Sequence, residues 1–325
     1  MSETKDWKYI LDVQDLHTTF STDKGGEVHA VNGVSFRLEP GKILGIVGES
    51  GSGKSVTAYS IMQILAENGG ITGGQVLYKG EDITKWSEKQ LENFRGKCCS
   101  IIFQDPMTSL NPVMTVGAQL SEVIRIHEKL SRADAAIRAG EMLELVGIPS
   151  ERMDEYPHQF SGGMKQRVVI AMALACNPLM IIADEPTTAL DVTIQAQVLD
   201  LMRSLREKFG TATLMITHDL GVVAEICDRV AIIYAGQIVE QGTLEEIYEN
   251  TKHPYTKGLF ASLPDMSSKA HRLHPIKGLM PDPANLPSGC PFHPRCDHAR
   301  PECARRTPVR TEVTPGHFVN CLLYE

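Results

Sequence analysis

One stretch, Gly48-Glu49-Ser50-Gly51-Ser52-Gly53-Lys54-Ser55, constrains this chain more than any other. It fits the pattern G-x-x-x-x-G-K-[ST], and its flanks suit that pattern. Lys42-Ile43-Leu44-Gly45-Ile46-Val47 reads as a short buried strand, and residues 56–65 read as a helix. Glycines between a strand and a helix let successive backbone N–H groups curl inward and hold phosphate oxygens. The helix adds the positive end of its dipole, Lys54 reaches the β- and γ-phosphates, and the Ser55 hydroxyl suits Mg²⁺. A flexible Gly/Ser linker would not be flanked by an apolar run on each side. The loop therefore reads as a nucleotide phosphate site.

The 325-residue length suggests roughly two domains. A net charge of −8 argues against a general nucleic-acid binder, which needs a basic face. The first ten residues alternate charged and apolar types and lack the apolar centre of a secretory signal. The longest apolar run, 168–176, stops at Asn177-Pro178, too short to span a bilayer.

Ahead of the loop, residues 9–13, 28–31 and 34–38 read as strands, with a turn at Asp23-Lys24-Gly25-Gly26. Phe20, just before that turn, is either an adenine-stacking ring or a half-buried strand residue. Beyond the loop, residues 73–83 read as a hairpin. Ser100-Ile101-Ile102-Phe103 reads as a buried strand that delivers Gln104 to a sheet edge where ligands bind. Residues 116–146 turn helical, with Ser131 as a cap, and suggest a helical subdomain inserted into the nucleotide domain. Ser161-Gly162-Gly163 then opens another helix, either as a second anion-binding terminus or as an ordinary cap.

The run Leu179-Met180-Ile181-Ile182-Ala183 ends in Asp184-Glu185, as a central parallel strand does when it carries acids to its C-terminal edge. Asp184 is placed to hold Mg²⁺, and Glu185 to act as general base or orienter for an attacking water. A strand at 213–216 leads to His218, which is placed to bond the γ-phosphate. Residues 230–239 read as a last hairpin and 244–248 as a short helix.

After about residue 250 the composition changes. Eleven of the eighteen prolines lie in the last 75 residues, so this segment is loop-rich and needs something to hold it. Four of the eight cysteines sit there too: Cys290, Cys296, Cys303 and Cys321. In a reducing compartment such spacing points to a metal rather than to disulfides. Four thiolates suit Zn²⁺ or an iron–sulfur cluster equally. His293, His298 and His317 are substitute ligands, and a structural staple is the plainer role.

With these residues laid out, the chain resembles the ATP-binding subunits of ABC transporters. In that family's terms Gly48–Ser55 is the Walker A loop and Gln104 the Q-loop. Ser161-Gly162-Gly163-Met164-Lys165-Gln166 is the signature, departing from the generic Leu-Ser-Gly-Gly-Gln at Phe160 and Met164. Residues 179–184 resemble Walker B, Glu185 the catalytic glutamate, Ala189-Leu190-Asp191 the D-loop and His218 the switch histidine. The resemblance is closer to the dipeptide/oligopeptide/nickel branch, through Gln104-Asp105-Pro106-Met107-Thr108-Ser109-Leu110-Asn111-Pro112 and His253-Pro254-Tyr255-Thr256-Lys257-Gly258-Leu259.

The resemblance implies an α/β fold: a P-loop, RecA-like ATPase core over 1–250 with an antiparallel β-subdomain and a helical subdomain at about 107–176. A loop-rich, cysteine-containing extension follows over 251–325. It implies catalytic roles for Glu185, His218 and Gln104, and ATP on Gly48, Glu49, Ser50, Gly51, Ser52, Gly53, Lys54 and Ser55 with Phe20. It implies Mg²⁺ at Ser55, Gln104 and Asp184. The partner subunit's ATP would lie on Ser161, Gly162, Gly163 and Met164, with Asp191 beside it. It tips the cysteines to a [4Fe–4S] cluster.

As a whole it implies an ATPase driving peptide import, peripheral on the cytoplasmic face of the membrane. Its partners would be a second ATPase subunit, two transmembrane permease subunits and, indirectly, an extracytoplasmic peptide-binding protein, with no nucleic acid. The alternatives are a nickel-complex importer and a soluble ABC-type ATPase.

Overall fold

The computed structural model describes residues 7–23, 25–188, 190–262 and 275–325. Contacts divide them into two units. The first holds the described residues of Met1–Leu11, Leu38–Ile43 and Tyr78–Ile216; the second holds those of Asp12–Arg37, Leu44–Leu77 and Thr217–Glu325.

Apolar runs too short for helices build the sheet of the first unit. Cys99–Ile102 pairs in parallel with Met180–Asp184, Cys99 opposite Met180, and Met180–Asp184 pairs in parallel with Ala212–Thr217. Met180–Asp184 is buried along its whole length, as a strand covered on both faces must be. The helical block of 116–146 is two helices, Val116–Glu128 and Arg132–Leu145, the second opening at the expected Ser131 cap. Lys129 takes a left-handed φ of 56° between them, and Ser131 caps the second by accepting the Asp134 N–H at 3.2 Å. Both pack on Gly162–Leu174, whose buried Val168, Val169, Ile170 and Ala171 form the run seen in the sequence.

In the second unit Ile43–Val47 runs parallel to Arg229–Tyr234, which pairs antiparallel with Gln237–Thr243. The turn between the last two carries positive φ at both Ala235 (49°) and Gly236 (74°), the hairpin geometry that matches strand twist. Glu27–Leu38, Leu11–Ser21 and Gly69–Tyr78 form a further sheet in that order. The two strands expected at 28–31 and 34–38 are one, because Gly33, at φ 82°, bends the chain without ending the ladder. Lys24, in the expected turn, lies outside the described residues.

The C-terminal segment extends this unit. His317–Asn320 pairs antiparallel with Gln237–Thr243, Glu240 opposite Val319, and Arg310–Thr314 pairs on its outer side. The expectation of a [4Fe–4S] cluster, or zinc, at Cys290, Cys296, Cys303 and Cys321 is corrected here. Among the described residues no three His, Cys, Asp or Glu side chains are grouped to hold a metal ion, and the four cysteines are free. Burial, then the neighbouring cysteines, pushes the Cys290 thiol up to about 11, and burial also raises Cys296 and Cys321. At neutral pH these three are thiols that pack as small apolar groups.

Of the three substitute ligands, His298 is exposed and the other two have polar partners of their own. The His293 ring bonds the Cys290 carbonyl at 2.9 Å, and His317 Nε2 lies 2.9 Å from Glu240 Oε1. The staple is the core itself. Phe292, 3% exposed, stands edge-on to Tyr234 at 5.2 Å and tilted on Tyr255 at 5.3 Å.

Candidate nucleotide site

Ile43–Val47, fully buried, sets the phosphate loop at the end of a parallel strand. The loop turns through Gly51 (φ 78°) and Gly53 (φ 99°) into the helix Lys54–Met62. A Cβ at Gly48 would lie 2.3 Å from Ile233 O, and one at Gly53 2.4 Å from Ala30 O, so backbone fills the space a side chain would need. Gly51 meets nothing within 4 Å, and its left-handed backbone is what demands glycine. Gly236 N–H donates to Ser52 O at 2.8 Å and ties the loop from outside. Lys54, 5% exposed, donates through Nζ to Gly48 O at 2.8 Å and Glu49 O at 2.9 Å.

No side chain caps the Lys54–Met62 helix. Ser52 Oγ is buried with no hydrogen-bond partner among the described residues. A helix start without a side-chain cap, an ammonium and an orphaned hydroxyl within one loop fit a polyphosphate. Ser55, half-buried in the first helical turn, offers an oxygen of the kind Mg²⁺ takes. The same loop engages the C-terminal segment: Glu49 N–H donates to Tyr255 Oη at 3.0 Å, and the Glu49 carboxylate pairs with Arg295.

The acids lie in the first unit. Asp184, fully buried, ends its strand opposite Ile216. Glu185 takes φ 48°, a left-handed conformation that costs a non-glycine residue about 1–3 kcal/mol and that gathers at active sites. Its backbone N–H donates to Ile216 O at 2.8 Å. Gln104 Nε2 donates to Glu185 Oε2 at 3.0 Å, and Thr188 Oγ1 donates to the same oxygen at 2.9 Å. The structure thus brings Gln104 to Glu185, 81 positions away, and adds Thr188, which the sequence reading missed. The signal available was a hydroxyl three residues past an acid in a proline turn, Glu185-Pro186-Thr187-Thr188.

Ser161 caps Gly162–Leu174 by accepting the Met164 N–H at 3.4 Å. Ser161 and Gly162 are exposed, and a Cβ at Gly162 would meet nothing within 4 Å. Gly163 instead lies against Ile194, where a Cβ would come within 2.5 Å of Cγ2. Asp191 caps Val192–Phe209 by accepting the Ile194 N–H at 3.0 Å; Ala189, beside it in the expected D-loop, lies outside the described residues. His218 is exposed just after Ala212–Thr217. The half-buried Phe20 ring packs on Gly69, where a Cβ would lie 2.3 Å from Cε1.

Comparison with known proteins fits this geometry. The family described as "ABC transporter" matches residues 31–188, and "Oligopeptide/dipeptide transporter, C-terminal region" matches 239–303. The oligopeptide transport ATP-binding protein OppD of Bacillus subtilis (strain 168) is 53% identical over 97% of this chain and 88% of its own length. The chain belongs to the ABC transporter ATP-binding proteins. Another member of this ABC family, the dipeptide transport ATP-binding protein DppD of the same strain, is 50% identical over 97% of this chain and 95% of its own. Among solved structures, the ATP-binding cassette MJ0796, as a dimer in a post-hydrolysis state bound to ADP and Pi, aligns with a TM-score of 0.65. It is 26% identical and covers 72% of this chain and 98% of its own. The α/β P-loop fold and ABC-type ATPase activity follow from these matches. No described helix of this ABC protein is long and apolar enough to cross a membrane.

Proposed function

We propose that this chain powers the import of di- and oligopeptides by hydrolysing ATP for separate membrane-spanning subunits. The observation that carries the reading is the order of two matches in one chain: an ABC ATPase region over 31–188, then a region typical of oligopeptide and dipeptide transporters over 239–303. The names of the B. subtilis relatives support the substrate class.

ATP binds on the backbone of Gly48–Ser55 with Lys54 on its terminal phosphates, and the Phe20 ring serves the adenine. Ser55, Gln104 and Asp184 would hold Mg²⁺, and that ion would supply positive charge to offset the phosphoryl oxygens. Glu185 orients or deprotonates the attacking water, its carboxylate aimed by the bonds from Gln104 and Thr188. His218 bonds the γ-phosphate. Ser161, Gly162 and Gly163 serve a second ATPase subunit: the helix they open is exposed at its start, where backbone N–H groups donate to a phosphate from outside the chain. ATP thereby holds two subunits together and its hydrolysis releases them. The chain sits on the cytoplasmic face of the membrane through two permease subunits, fed by an extracytoplasmic peptide-binding protein.

The test is Glu185→Gln. The variant binds ATP as the wild type does, loses about 10²–10⁴-fold in turnover, and accumulates as an ATP-bound pair of subunits. Near-normal turnover would remove Glu185 from its role. Gentle solubilisation of membranes recovers two multi-spanning subunits and a second ATPase with the chain; recovery without membrane proteins would favour a soluble ATPase.

A further inference from the structure

Glu49 is the odd residue of the phosphate loop, an acid on a loop that must receive several negative charges. Its peptide belongs to the cradle: the N–H donates to Tyr255 Oη at 3.0 Å, and the carbonyl accepts from Lys54 Nζ at 2.9 Å. An unanswered charge there repels a triphosphate through a poorly screening medium.

Arg295 answers it. Nη1 donates to Glu49 Oε2 at 2.7 Å and Nη2 to Oε1 at 3.1 Å, a bidentate fork across 246 positions of sequence. The Arg295 side chain is 6% exposed and that of Glu49 28%, so water screens the pair far less than a surface ion pair. The fork is fixed from behind. Arg295 Nε donates to Lys277 O at 2.9 Å, Nη1 reaches Tyr234 Oη at 3.4 Å, and Tyr234 stands edge-on to Tyr255 at 4.6 Å. Arg295 and Tyr255 both lie after residue 250, and both meet the same loop residue.

We infer that Arg295 is a positioning residue for ATP. It neutralises the Glu49 carboxylate and, with Tyr255, fixes the first turn of the phosphate loop. The C-terminal segment thereby sets nucleotide affinity. This rests on the reading of Gly48–Ser55 as the ATP site.

The experiment is equilibrium binding of Mg²⁺ with the non-hydrolysable analogue AMP-PNP to the purified full chain. The proteins are wild type, R295A, R295K, E49Q and the double variant E49Q/R295A, each checked for a folded melting transition. R295A binds about tenfold more weakly, and its deficit shrinks as KCl rises. R295K, which keeps the charge and loses the fork, falls between R295A and wild type. E49Q/R295A binds more tightly than R295A, because no carboxylate is left to neutralise, and the four-member cycle reports that coupling.

R295A binding like wild type would overturn the inference. So would a weakened R295A that E49Q fails to recover, since that outcome makes Arg295 a support of the segment alone. If wild type binds and Lys54→Ala does not, the ATP site stands whatever R295A does. If wild type binds nothing, both readings fall.

Discussion

The phosphate loop Gly48–Ser55 and the segment 275–325 are both largely irregular backbone, held by different kinds of bond. The loop is set mostly from within. Gly51 and Gly53 take left-handed φ, Lys54 folds onto the Gly48 and Glu49 carbonyls, and the next residues start a helix. The segment is set from outside. Phe292 enters a ring cluster with Tyr234 and Tyr255, and His317 meets Glu240 in a pair with no exposed side-chain surface. Damage to the loop should therefore cost ligand and spare the fold, and damage to the segment's anchors should cost fold first.

The sharpest way to break that contrast is Phe292→Ala. Removing a buried ring from between two tyrosines costs about 3–5 kcal/mol, read as a lower urea midpoint at unchanged m-value. An unchanged midpoint would mean that the segment is anchored elsewhere. Glu240→Ala probes the polar anchor. Its carboxylate accepts the Lys252 N–H at 2.7 Å and the His253 N–H at 3.0 Å besides facing His317, so its loss strands buried donors and costs about 3 kcal/mol. On the other side of the comparison, Gly53→Ala puts a Cβ 2.4 Å from Ala30 O at φ 99°. The free loop escapes the left-handed penalty of about 1–2 kcal/mol by relaxing out of the cradle geometry, so ATP affinity falls about 5- to 30-fold while the urea midpoint moves far less than in Phe292→Ala. Equal loss of fold in the two variants would erase the distinction.

What could be read in advance follows the same division. The loop, the acid-ending strand and the signature helix were legible because their determinants are contiguous: glycine spacing, an apolar run of strand length, a cap followed by a helical period. The strands of the first unit followed from such runs at 100–103, 179–183 and 213–216, within a residue of Cys99–Ile102, Met180–Asp184 and Ala212–Thr217. Contacts between distant residues were not legible. Nothing local to Gln104 says that it donates to Glu185, and nothing local to Arg295 says that it meets Glu49. The cysteines misled for that reason. Their count and the surrounding prolines said that something must hold the segment, and a metal was the local answer. The actual answer lies in Tyr234, Glu240 and Tyr255, whose roles depend on the chain folding back. One local clue was passed over: an acid at position 49, on an anion-binding loop, asks for a cation from somewhere.

The effect that is smallest at neutral pH is a pH dependence that separates the two regions. His253, 1% exposed, caps the helix Pro254–Ala261, its Nδ1 accepting the Tyr255 N–H at 3.0 Å. Burial holds its pKa down to about 3, against a weaker upward pull from the Asn320 backbone. An unfolded chain takes up that proton near its ordinary value of 6.5, so between 6.5 and 3 the unfolded state binds more protons than the folded one. The contribution is complete above pH 6.5 and is lost as pH falls, at about 1.4 kcal/mol per unit, or about 2 kcal/mol by pH 5. Asn at 253 accepts the same N–H as a cap and does not titrate. His253→Asn should thus flatten the fall in unfolding free energy between pH 7.5 and 5. The His127 imidazole, also held low by burial and then by Lys97, titrates in both proteins and cancels in the difference. Parallel curves would show that the fold does not hold His253 neutral, since a proton on Nδ1 removes the acceptor of the Tyr255 N–H, and that cap would then carry little of the anchoring.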